Sequence, residues 1–341
     1  MLPFNRFIYL IYYFKELDWA RFNSFMSFVK HKTEVSAFTV WRRIIHASLK
    51  YNISFLEYFQ FRFYEIPDSE KETYAGTGFM YEYQLKMNPK GTREILSNKL
   101  KFLEEYKQFI KHQHRSLIEL IQNPQSAHEL LQNPSGKIVL KSSTGQCGIG
   151  VEVHPAEGFT SSSLIEQLKR GRNDLAEEFV MQHELLSKLS PSGLNTIRIV
   201  TQLDEHDEVV ILAARLRISV NSVVDNLAAG NLAATINSET GIVDGPGVYS
   251  DITKEDQQVH PVTGVPITGF KLPFWEQAVA MVKRAALHNK GNRSIGWDVA
   301  ITNLGPELIE ANHDWCKLLW QLPMKHGLKN SLAKYTSPIH A

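Results

Sequence analysis

Three side chains near the end of the sequence offer oxygen atoms at a spacing that suits a metal ion. Asp298, Glu310 and Asn312 fall on two β-like runs, 297–302 and 307–312, which predict a β-hairpin. Successive side chains of a strand point to opposite faces, so all three can project from one face. Carboxylate and amide oxygens suit Mg²⁺, with phosphates completing its shell. The alternative is a solvated hairpin face, but the apolar neighbours favour an interior position, and we predict a metal site.

The register of this hairpin decides whether its two carboxylates meet. With a turn centred on Leu304, Asp298 lies opposite Glu310, and Leu308 shares the face of Glu310 and Asn312. Like charges directly opposite each other destabilise a strand pair. A divalent cation would convert that penalty into a binding site.

A second segment, 136–153, has the composition of a phosphate-binding loop. A short apolar run ends at Lys141, and Gly145, Gly148 and Gly150 follow. Glycines let backbone N–H groups approach phosphate oxygens, and a lysine adds a point charge. The segment lacks the Ser or Thr of a Walker A loop and the helix of a dinucleotide fingerprint. A plain glycine-rich hairpin is the alternative.

Three arginines occupy strand-like runs. Arg198 alternates with Ile197 and Ile199, whereas Arg215 and Arg217 share one face of the next run. Guanidinium groups bind phosphates and carboxylates bidentately, so these arginines could hold a triphosphate or an acidic substrate. Ion pairing on an exposed strand surface is the alternative.

The elements that position these residues change character along the chain. Aromatic-rich helical patterns fill the first 95 residues, and helical signals continue over 92–112 and 116–131. Beyond the turn residues Asn133-Pro134-Ser135-Gly136 the pattern changes to short β-like runs and one helix. Those runs are 138–140, 179–181, 197–203, 209–218 and the hairpin 297–312, with the helix at 275–287. The irregular alternation favours an α+β fold over a doubly wound sheet.

Composition narrows the function further. The chain has 341 residues, with 37 basic and 36 acidic ones, so no net field attracts nucleic acid and we expect no nucleic-acid partner. Its two cysteines, Cys147 and Cys316, have no partner at metal-ligand spacing. A reducing compartment and a cytoplasmic location are therefore expected. The apolar run 7–14 is too short to span a bilayer and predicts either a core helix or an interfacial anchor that contacts a membrane peripherally.

In this order the motifs resemble the ATP-grasp enzymes, and more narrowly the sugar-transfer-associated ATP-grasp family, over residues 92 to 320. The resemblance implies an ATP-grasp fold of two α+β subdomains. The chain is then divided into a helical N-terminal region, 1–95, a small subdomain, 96–185, and a C-terminal subdomain, 186–341. The resemblance also implies ATP and Mg²⁺ as cofactors, with magnesium on Asp298, Glu310 and Asn312.

The resemblance assigns further residues to the nucleotide. Lys99 and Lys141 match the two phosphate-binding lysines, and the glycine loop resembles the flexible lid. Glu177 is placed near the adenine amino group, the backbone of Glu178 to Val180 along the adenine edge, and Glu184 on the ribose hydroxyls. Catalytic roles are implied for Lys141, Arg198 and Arg215.

Two departures from the family pattern stand out. Several carboxylate–amine ligases carry an arginine just before the first metal aspartate, where this chain has Gly296-Trp297. Arg198, Arg215 or Arg293 could supply that charge. The usual N-terminal α/β subdomain is replaced by helices.

The implied activity is an ATP-dependent carboxylate–amine ligase that works through an acyl phosphate. The narrower family implies cell-surface polysaccharide or glycoconjugate synthesis, for example joining an amino acid to a uronic acid. The expected partners are therefore a small carboxylate, such as a sugar acid, and an amine. The alternative is a phosphotransferase with a hydroxyl acceptor.

Overall fold

The computed structural model describes residues 3–145 and 150–336, and these contain fifteen α-helices. The helices are α1 (Pro3–Lys15), α2 (Trp19–Thr33), α3 (Ala37–Tyr51), α4 (Phe55–Gln60), α5 (Asp68–Lys71), α6 (Thr77–Met87), α7 (Lys90–Ser97), α8 (Lys99–Glu105), α9 (Leu117–Gln122), α10 (Ser126–Leu131), α11 (Ser161–Gly171), α12 (Glu184–Leu189), α13 (Trp275–His288), α14 (Lys317–Gln321) and α15 (Lys329–Thr336).

The described strands form two antiparallel sheets. The strands are β1 (His114–Ser116), β2 (Lys137–Lys141), β3 (Glu152–Pro155), β4 (Leu175–Glu178), β5 (Ile197–Leu203), β6 (Val209–Ile218), β7 (Leu232–Thr235), β8 (Ser294–Thr302) and β9 (Gly305–Asn312). The small sheet has the order β1-β4-β2-β3, and the large sheet has the order β7-β6-β5-β8-β9. Helices and antiparallel sheets are thus mixed without a parallel βαβ repeat, which confirms the α+β prediction.

Several helices begin where the sequence supplies a capping side chain. Ser36 accepts a hydrogen bond from the Thr39 N–H at the start of α3. Ser54 and Glu57 form a reciprocal capping box at the start of α4. Such caps satisfy N–H groups that a helix leaves unpaired at its first turn, and each is worth about 1 kcal/mol.

Five apolar clusters hold the described elements together, and three of them position the two sheets and the first helices. The first helices pack on one another through aromatic side chains such as Phe22, Phe25 and Phe59. Helices α9 to α11 cover the small sheet. One face of the large sheet packs on α13 and on residues of α7 and α8, through residues that include Trp297 and Val299. The opposite face carries the charged residues described below.

The structure corrects several predicted elements. The run 179–181 is not a strand, because the strand β4 ends at Glu178 and the chain continues as a linker. The helical signal over 92–112 is divided at Asn98, whose side chain caps the new helix α8. The signal over 116–131 is likewise divided into α9 and α10.

The hairpin of β8 and β9 contains a bulge that the sequence does not reveal. Asp298 pairs with Glu310, but the next pair is Val299 with Leu308, so Ile309 has no partner in this register. Continued without the bulge, the register would place Ile309 opposite Asp298. A bulge redirects the side chains beyond it, and here it brings Glu310 to the face of Asp298. The prediction that Leu308 shares this face is wrong, because Leu308 packs in the core beside Val299.

Helix α1 contributes to two environments. Tyr13 is buried in the helical core, whereas Phe7, Ile8 and Ile11 are each more than half exposed. In the described part of the chain, no helix combines the length and apolar character that crossing a bilayer requires.

Candidate active site

A row of polar side chains crosses all five strands of the large sheet. Strand pairing places Thr235, Arg215, Arg198, Asp298 and Glu310 directly opposite one another in turn. Directly paired side chains project from the same face of a sheet. The row therefore brings arginines from two strands beside two carboxylates from two others.

Asp298 is the most strongly held member of this row. Arg198 donates to both of its carboxylate oxygens, through Nε and, at 2.9 Å, through Nη2. Arg217 donates to Oδ2 at 2.7 Å. Burial opposes ionisation of Asp298, but the two guanidinium groups outweigh it and hold its pKa well below the usual range. Asp298 is thus a fixed anion with a defined orientation.

Glu310 differs from Asp298, because its surroundings disfavour the ionised carboxylate. Burial and the neighbouring charge of Asp298 raise its pKa, although Lys99 and Lys141 lie close enough to oppose that rise. The two sheets therefore meet at Glu310, with the large sheet supplying the carboxylates and Lys141 coming from the small sheet. A cation placed here would favour the ionised form of Glu310.

Lys99 and Lys141 both lie close enough to Glu310 for their charges to lower its pKa. Burial and the charge of Lys141 lower the pKa of Lys99, and Glu310 and Glu177 act in the opposite direction. The ammonium group of Lys141 lies 2.5 Å from Glu177 Oε2. Together the lysines provide a positive region against the two acidic side chains of the hairpin.

Glu177 stands at the centre of a buried network in the small sheet. Burial opposes its ionisation, but Lys141 and His112 outweigh it and lower its pKa to about 2. Its Oε1 atom is buried without a hydrogen-bond partner among the described residues. A buried acceptor without a partner is costly, and a donor such as a nucleobase amino group would satisfy it.

Sequence analysis missed two residues that join the sheets here. His112 Nδ1 lies 2.8 Å from Glu307 on β9, and its Nε2 lies 3.7 Å from Glu177 on β4. Burial opposes protonation of His112, but the two glutamates outweigh it and raise its pKa to about 9. No local pattern could reveal this link, because His112 and Glu307 are 195 positions apart.

The tertiary structure also explains why a glycine precedes Asp298. A Cβ atom on Gly296 would lie 2.6 Å from the Trp315 Cβ and 3.1 Å from the Arg198 Cδ. Residue 296 thus has no room for a side chain, and Arg198 reaches Asp298 from the neighbouring strand β5. Arg293 is directed elsewhere, since it pairs with Asp207.

The donor set fits magnesium held jointly with a nucleotide. Among the described residues, no three His, Cys, Asp or Glu side chains form a metal cluster by themselves. Asp298 and Glu310 offer two carboxylates, and Asn312, two positions beyond Glu310 on β9, offers an amide oxygen, while its buried Nδ2 has no acceptor in the described structure and could donate to a phosphate oxygen. Mg²⁺ is commonly bound by one or two carboxylates plus substrate phosphates and water.

The three arginines have different surroundings. Arg215 is buried and donates to the Trp320 carbonyl through Nε and Nη2, at 3.2 and 2.7 Å. Burial lowers its pKa to about 10. The structure therefore directs Arg215 to a backbone carbonyl, not to Asp298. Arg217, the third arginine that the sequence offered for a triphosphate or an acidic substrate, forms ion pairs with both Asp298 and Asp225.

The glycine loop is described only at its two ends. The Lys99 N–H donates to the Ser143 carbonyl at 2.9 Å, and its ammonium group contacts the Gly145 carbonyl. Gly150 has a φ of +75°, a conformation that favours glycine. Gly148 lies outside the described residues.

The predicted nucleoside-binding residues run from the end of β4 through the following linker to the start of α12. The Glu178 N–H is already bonded to the Gln113 carbonyl at 2.8 Å, whereas the Val180 N–H makes no backbone hydrogen bond in the described structure. Glu184 begins α12, is exposed, and donates its N–H to Asn303 at the hairpin turn, at 3.2 Å. The linker thus leaves at least one backbone donor available.

Comparison with known proteins gives a family match. The sequence matches the sugar-transfer associated ATP-grasp family over residues 79–337. No curated protein matches it.

Among solved structures, the fold is similar to the ADP complex of purK, an N5-carboxyaminoimidazole ribonucleotide synthetase (11% identity, TM-score 0.41, 64% of this chain and 45% of that one). It is also similar to D-alanyl-alanine synthetase A from Vibrio cholerae (13%, 0.41, 68% and 60%) and to an L-amino acid ligase from Bacillus licheniformis (15%, 0.37, 64% and 41%). The chain spans 41% to 60% of these three structures.

The family assignment rests on the sequence match, which covers most of the chain. The structure agrees with this match, because it contains two antiparallel sheets, with Lys141 on the small one and Glu310 on the large one. The protein belongs to the sugar-transfer associated ATP-grasp family and has an ATP-grasp fold.

Proposed function

We propose that the chain is an ATP-dependent carboxylate–amine ligase that forms a C–N bond and releases ADP. The observation that carries the proposal is the pairing of buried Asp298 and Glu310 across the hairpin, with Lys99 and Lys141 beside Glu310. Two neighbouring carboxylates can bind a divalent cation, and two nearby lysines can bind the phosphates of ATP.

Each residue of this group has a separate task. Asp298, Glu310 and Asn312 would hold Mg²⁺, which neutralises charge on the β- and γ-phosphates. Lys99 and Lys141 bind the phosphates as point charges. Arg198 and Arg217 orient Asp298, and a catalytic role for Arg198 is part of the proposal. The catalytic role of Arg215 remains a prediction, which loss of turnover in Arg215→Ala would support.

The nucleoside end follows the linker. The Val180 N–H binds the adenine edge, Glu177 accepts from its amino group, and Glu184 accepts from the ribose hydroxyls. The glycine loop that contains Gly145, Gly148 and Gly150 closes over the phosphates and excludes water.

The proposed reaction has two steps, phosphorylation of the carboxylate and attack of the amine on the acyl phosphate. A carboxylate oxygen attacks the γ-phosphorus, an O–P bond forms, and the bond to the bridging oxygen of ADP breaks. An amine nitrogen then attacks the acyl carbon, a C–N bond forms, and phosphate leaves with the carboxylate oxygen while the amine loses a proton. Exclusion of water between these steps protects the acyl phosphate from hydrolysis.

The family description supports a substrate class. Because the family is associated with sugar transfer, we propose an acidic sugar as the carboxylate, an amino acid as the amine, and a role in polysaccharide or glycoconjugate synthesis. The division into 1–95, 96–185 and 186–341, a cytoplasmic location and peripheral membrane contact through α1 are parts of the same proposal.

Product analysis tests the activity. The purified chain is incubated with MgATP and pairs of uronic acids and amino acids, and products are identified by mass spectrometry. ADP and amide that form only when both substrates are present support the ligase. A phosphorylated acceptor formed without an amine would instead identify a kinase.

Two pairs of variants test the residues. Glu310→Ala should abolish turnover with the fold intact, whereas Asp314→Ala, an exposed carboxylate on the same segment, should retain it. Near-normal activity in Glu310→Ala would refute the metal assignment.

Lys141→Ala should weaken ATP binding, measured by calorimetry. Lys137→Ala removes an exposed lysine from the same strand β2 and should leave the affinity unchanged. Equal affinities in the two variants would remove Lys141 from the phosphate site.

A further inference from the structure

A cleft of about 770 Å³ lies in the helical N-terminal region and is lined entirely by residues between 42 and 71. Helix α3 forms one wall with Arg42, Arg43 and His46, which lie on one side of the helix because residues three and four apart are neighbours. Tyr58 and Tyr64 also line the cleft. None of these residues belongs to the candidate active site.

The tyrosines bring hydroxyl groups that the fold does not use. Tyr58 is 2% exposed and its hydroxyl oxygen lies beside Arg43, and in the described structure the buried hydroxyls of Tyr58 and Tyr64 have no acceptor for their protons. Burial raises the pKa of Tyr58, which Arg43 partly offsets, and burial raises that of Tyr64 to about 12, so both hydroxyls remain protonated donors. Buried polar groups are normally paired, so two such donors in one cleft indicate a missing acceptor.

The charges of the cleft point to the same kind of ligand. Its carboxylates are already neutralised, because Asp68 pairs with Lys50 and Lys71 at 3.0 Å, and Glu65 pairs with Lys32 and with Arg62. By contrast, no carboxylate of the described residues lies within 4.0 Å of the exposed Arg42 or Arg43. Unpaired guanidinium groups are therefore the dominant free charge.

We propose that this cleft is a second ligand site, which binds an oxyanion (a phosphate or carboxylate group) of a small molecule. Arg43 and Arg42 bind the oxyanion through their planar donor groups, and the Tyr58 and Tyr64 hydroxyls donate from the floor. The rings of Tyr58, Tyr64 and Phe63 provide apolar walls for the rest of the ligand, as is usual in small-molecule sites. This site does not depend on the proposed ligase activity.

Calorimetry without ATP tests the site, with inorganic phosphate and glucuronate as separate probes. At least one should bind saturably, and Tyr58→Phe and Arg43→Ala should each weaken binding roughly tenfold or more, the effect of one hydrogen bond to a charged group. Arg170→Ala, which removes an exposed arginine from α11, is the matched control and should not change the affinity.

Thermal unfolding separates a ligand site from a structural role. Without ligand, Tyr58→Phe removes a buried hydroxyl whose proton has no acceptor and should raise the melting temperature. A lower melting temperature would show that the hydroxyl serves the fold, which would overturn its assignment to a ligand.

Two further measurements identify the source of the oxyanion. Binding to phosphatidylglycerol vesicles, absent with phosphatidylcholine vesicles and lost in Tyr58→Phe, would assign it to a lipid headgroup rather than a soluble molecule. Binding lost in Lys141→Ala but kept in Arg43→Ala would place the anion in the active site and overturn the proposal. Absence of saturable binding to either soluble probe and to the vesicles would also overturn it.

Discussion

The face of the large sheet and the N-terminal cleft both collect polar side chains, but they hold them differently. On the sheet, Asp298 is bound by Arg198 and Arg217, and Arg217 also pairs with Asp225. In the cleft, Arg43 has no carboxylate partner and the Tyr58 hydroxyl has no acceptor for its proton among the described residues. The first arrangement is fixed before any ligand arrives, whereas the second leaves its donors for the ligand to satisfy.

This difference has a physical consequence for mutations. Removing one partner of a buried, paired charge leaves the other without compensation and destabilises the fold. Removing a buried group that has no partner relieves a cost. Substitutions of similar size should therefore have opposite effects on stability in the two regions.

The largest effect is expected for Arg217→Ala. The substitution leaves Asp298 with one guanidinium group and Asp225 with none, and should lower the free energy of unfolding by about 3–5 kcal/mol. Denaturant unfolding measures it, with Arg170→Ala as the control. A loss of unfolding free energy below about 1 kcal/mol would mean that the ion pairs of Arg217 contribute no more than exposed surface ion pairs do.

A pH titration should give the next largest effect. The pKa of His112 is raised from 6.5 to about 9, so the folded state holds this proton more tightly than the unfolded state. Its stabilisation is complete below pH 6.5 and is lost as the pH rises through about 9. The free energy of unfolding should fall across this window by up to about 3 kcal/mol.

The variant His112→Gln should remove most of that slope, whereas His206→Gln, at an exposed histidine, should keep it. At the acid end the pKa of Glu177, lowered from 4.5 to about 2, predicts a second loss. Its contribution is complete above pH 4.5 and disappears as the pH falls through about 2. A flat profile between pH 6.5 and 9 would contradict the His112 bridge.

In the cleft we expect a gain of about 1 kcal/mol from Tyr64→Phe, because it removes a buried hydroxyl without a partner. Chemical denaturation of the ligand-free protein measures it. Tyr81→Phe, at an exposed tyrosine, should be neutral. A Tyr64→Phe variant less stable than the parent would contradict the claim that substitutions in the two regions have opposite effects on stability.

The smallest stability change should come from Glu310→Gln, within about 0.5 kcal/mol of the parent. Burial and Asp298 already raise the pKa of Glu310, so the neutral amide resembles the protonated acid in shape and charge. Turnover should nevertheless be lost. Large destabilisation would show that the ionised form of Glu310 supports the fold, as the arginine-bound Asp298 does.

Some of this organisation follows from local patterns in the sequence. Alternating apolar residues predicted the strands β5 and β6 and the final hairpin. The glycines that follow Lys141 predicted a loop after the strand. The run 179–181 misled because apolar residues in a linker have the composition of a strand.

Other features could not be obtained from the sequence. The bulge at Ile309 reverses the face on which Leu308 lies, yet one inserted residue leaves no mark in the apolar pattern. The link from His112 to Glu307 joins positions far apart in the chain.

The sequence by itself determined the α+β class and placed Asp298, Glu310, Lys99 and Lys141 in motifs that match the family. Side-chain type and short-range periodicity suffice for that, because they act within a few residues. Only the tertiary structure decided which charges neutralise which: Arg198 and Arg217 converge on Asp298, while Arg215 is directed to a carbonyl. Electrostatic partnership depends on distance in space and on burial, and strand pairing across about a hundred residues sets both.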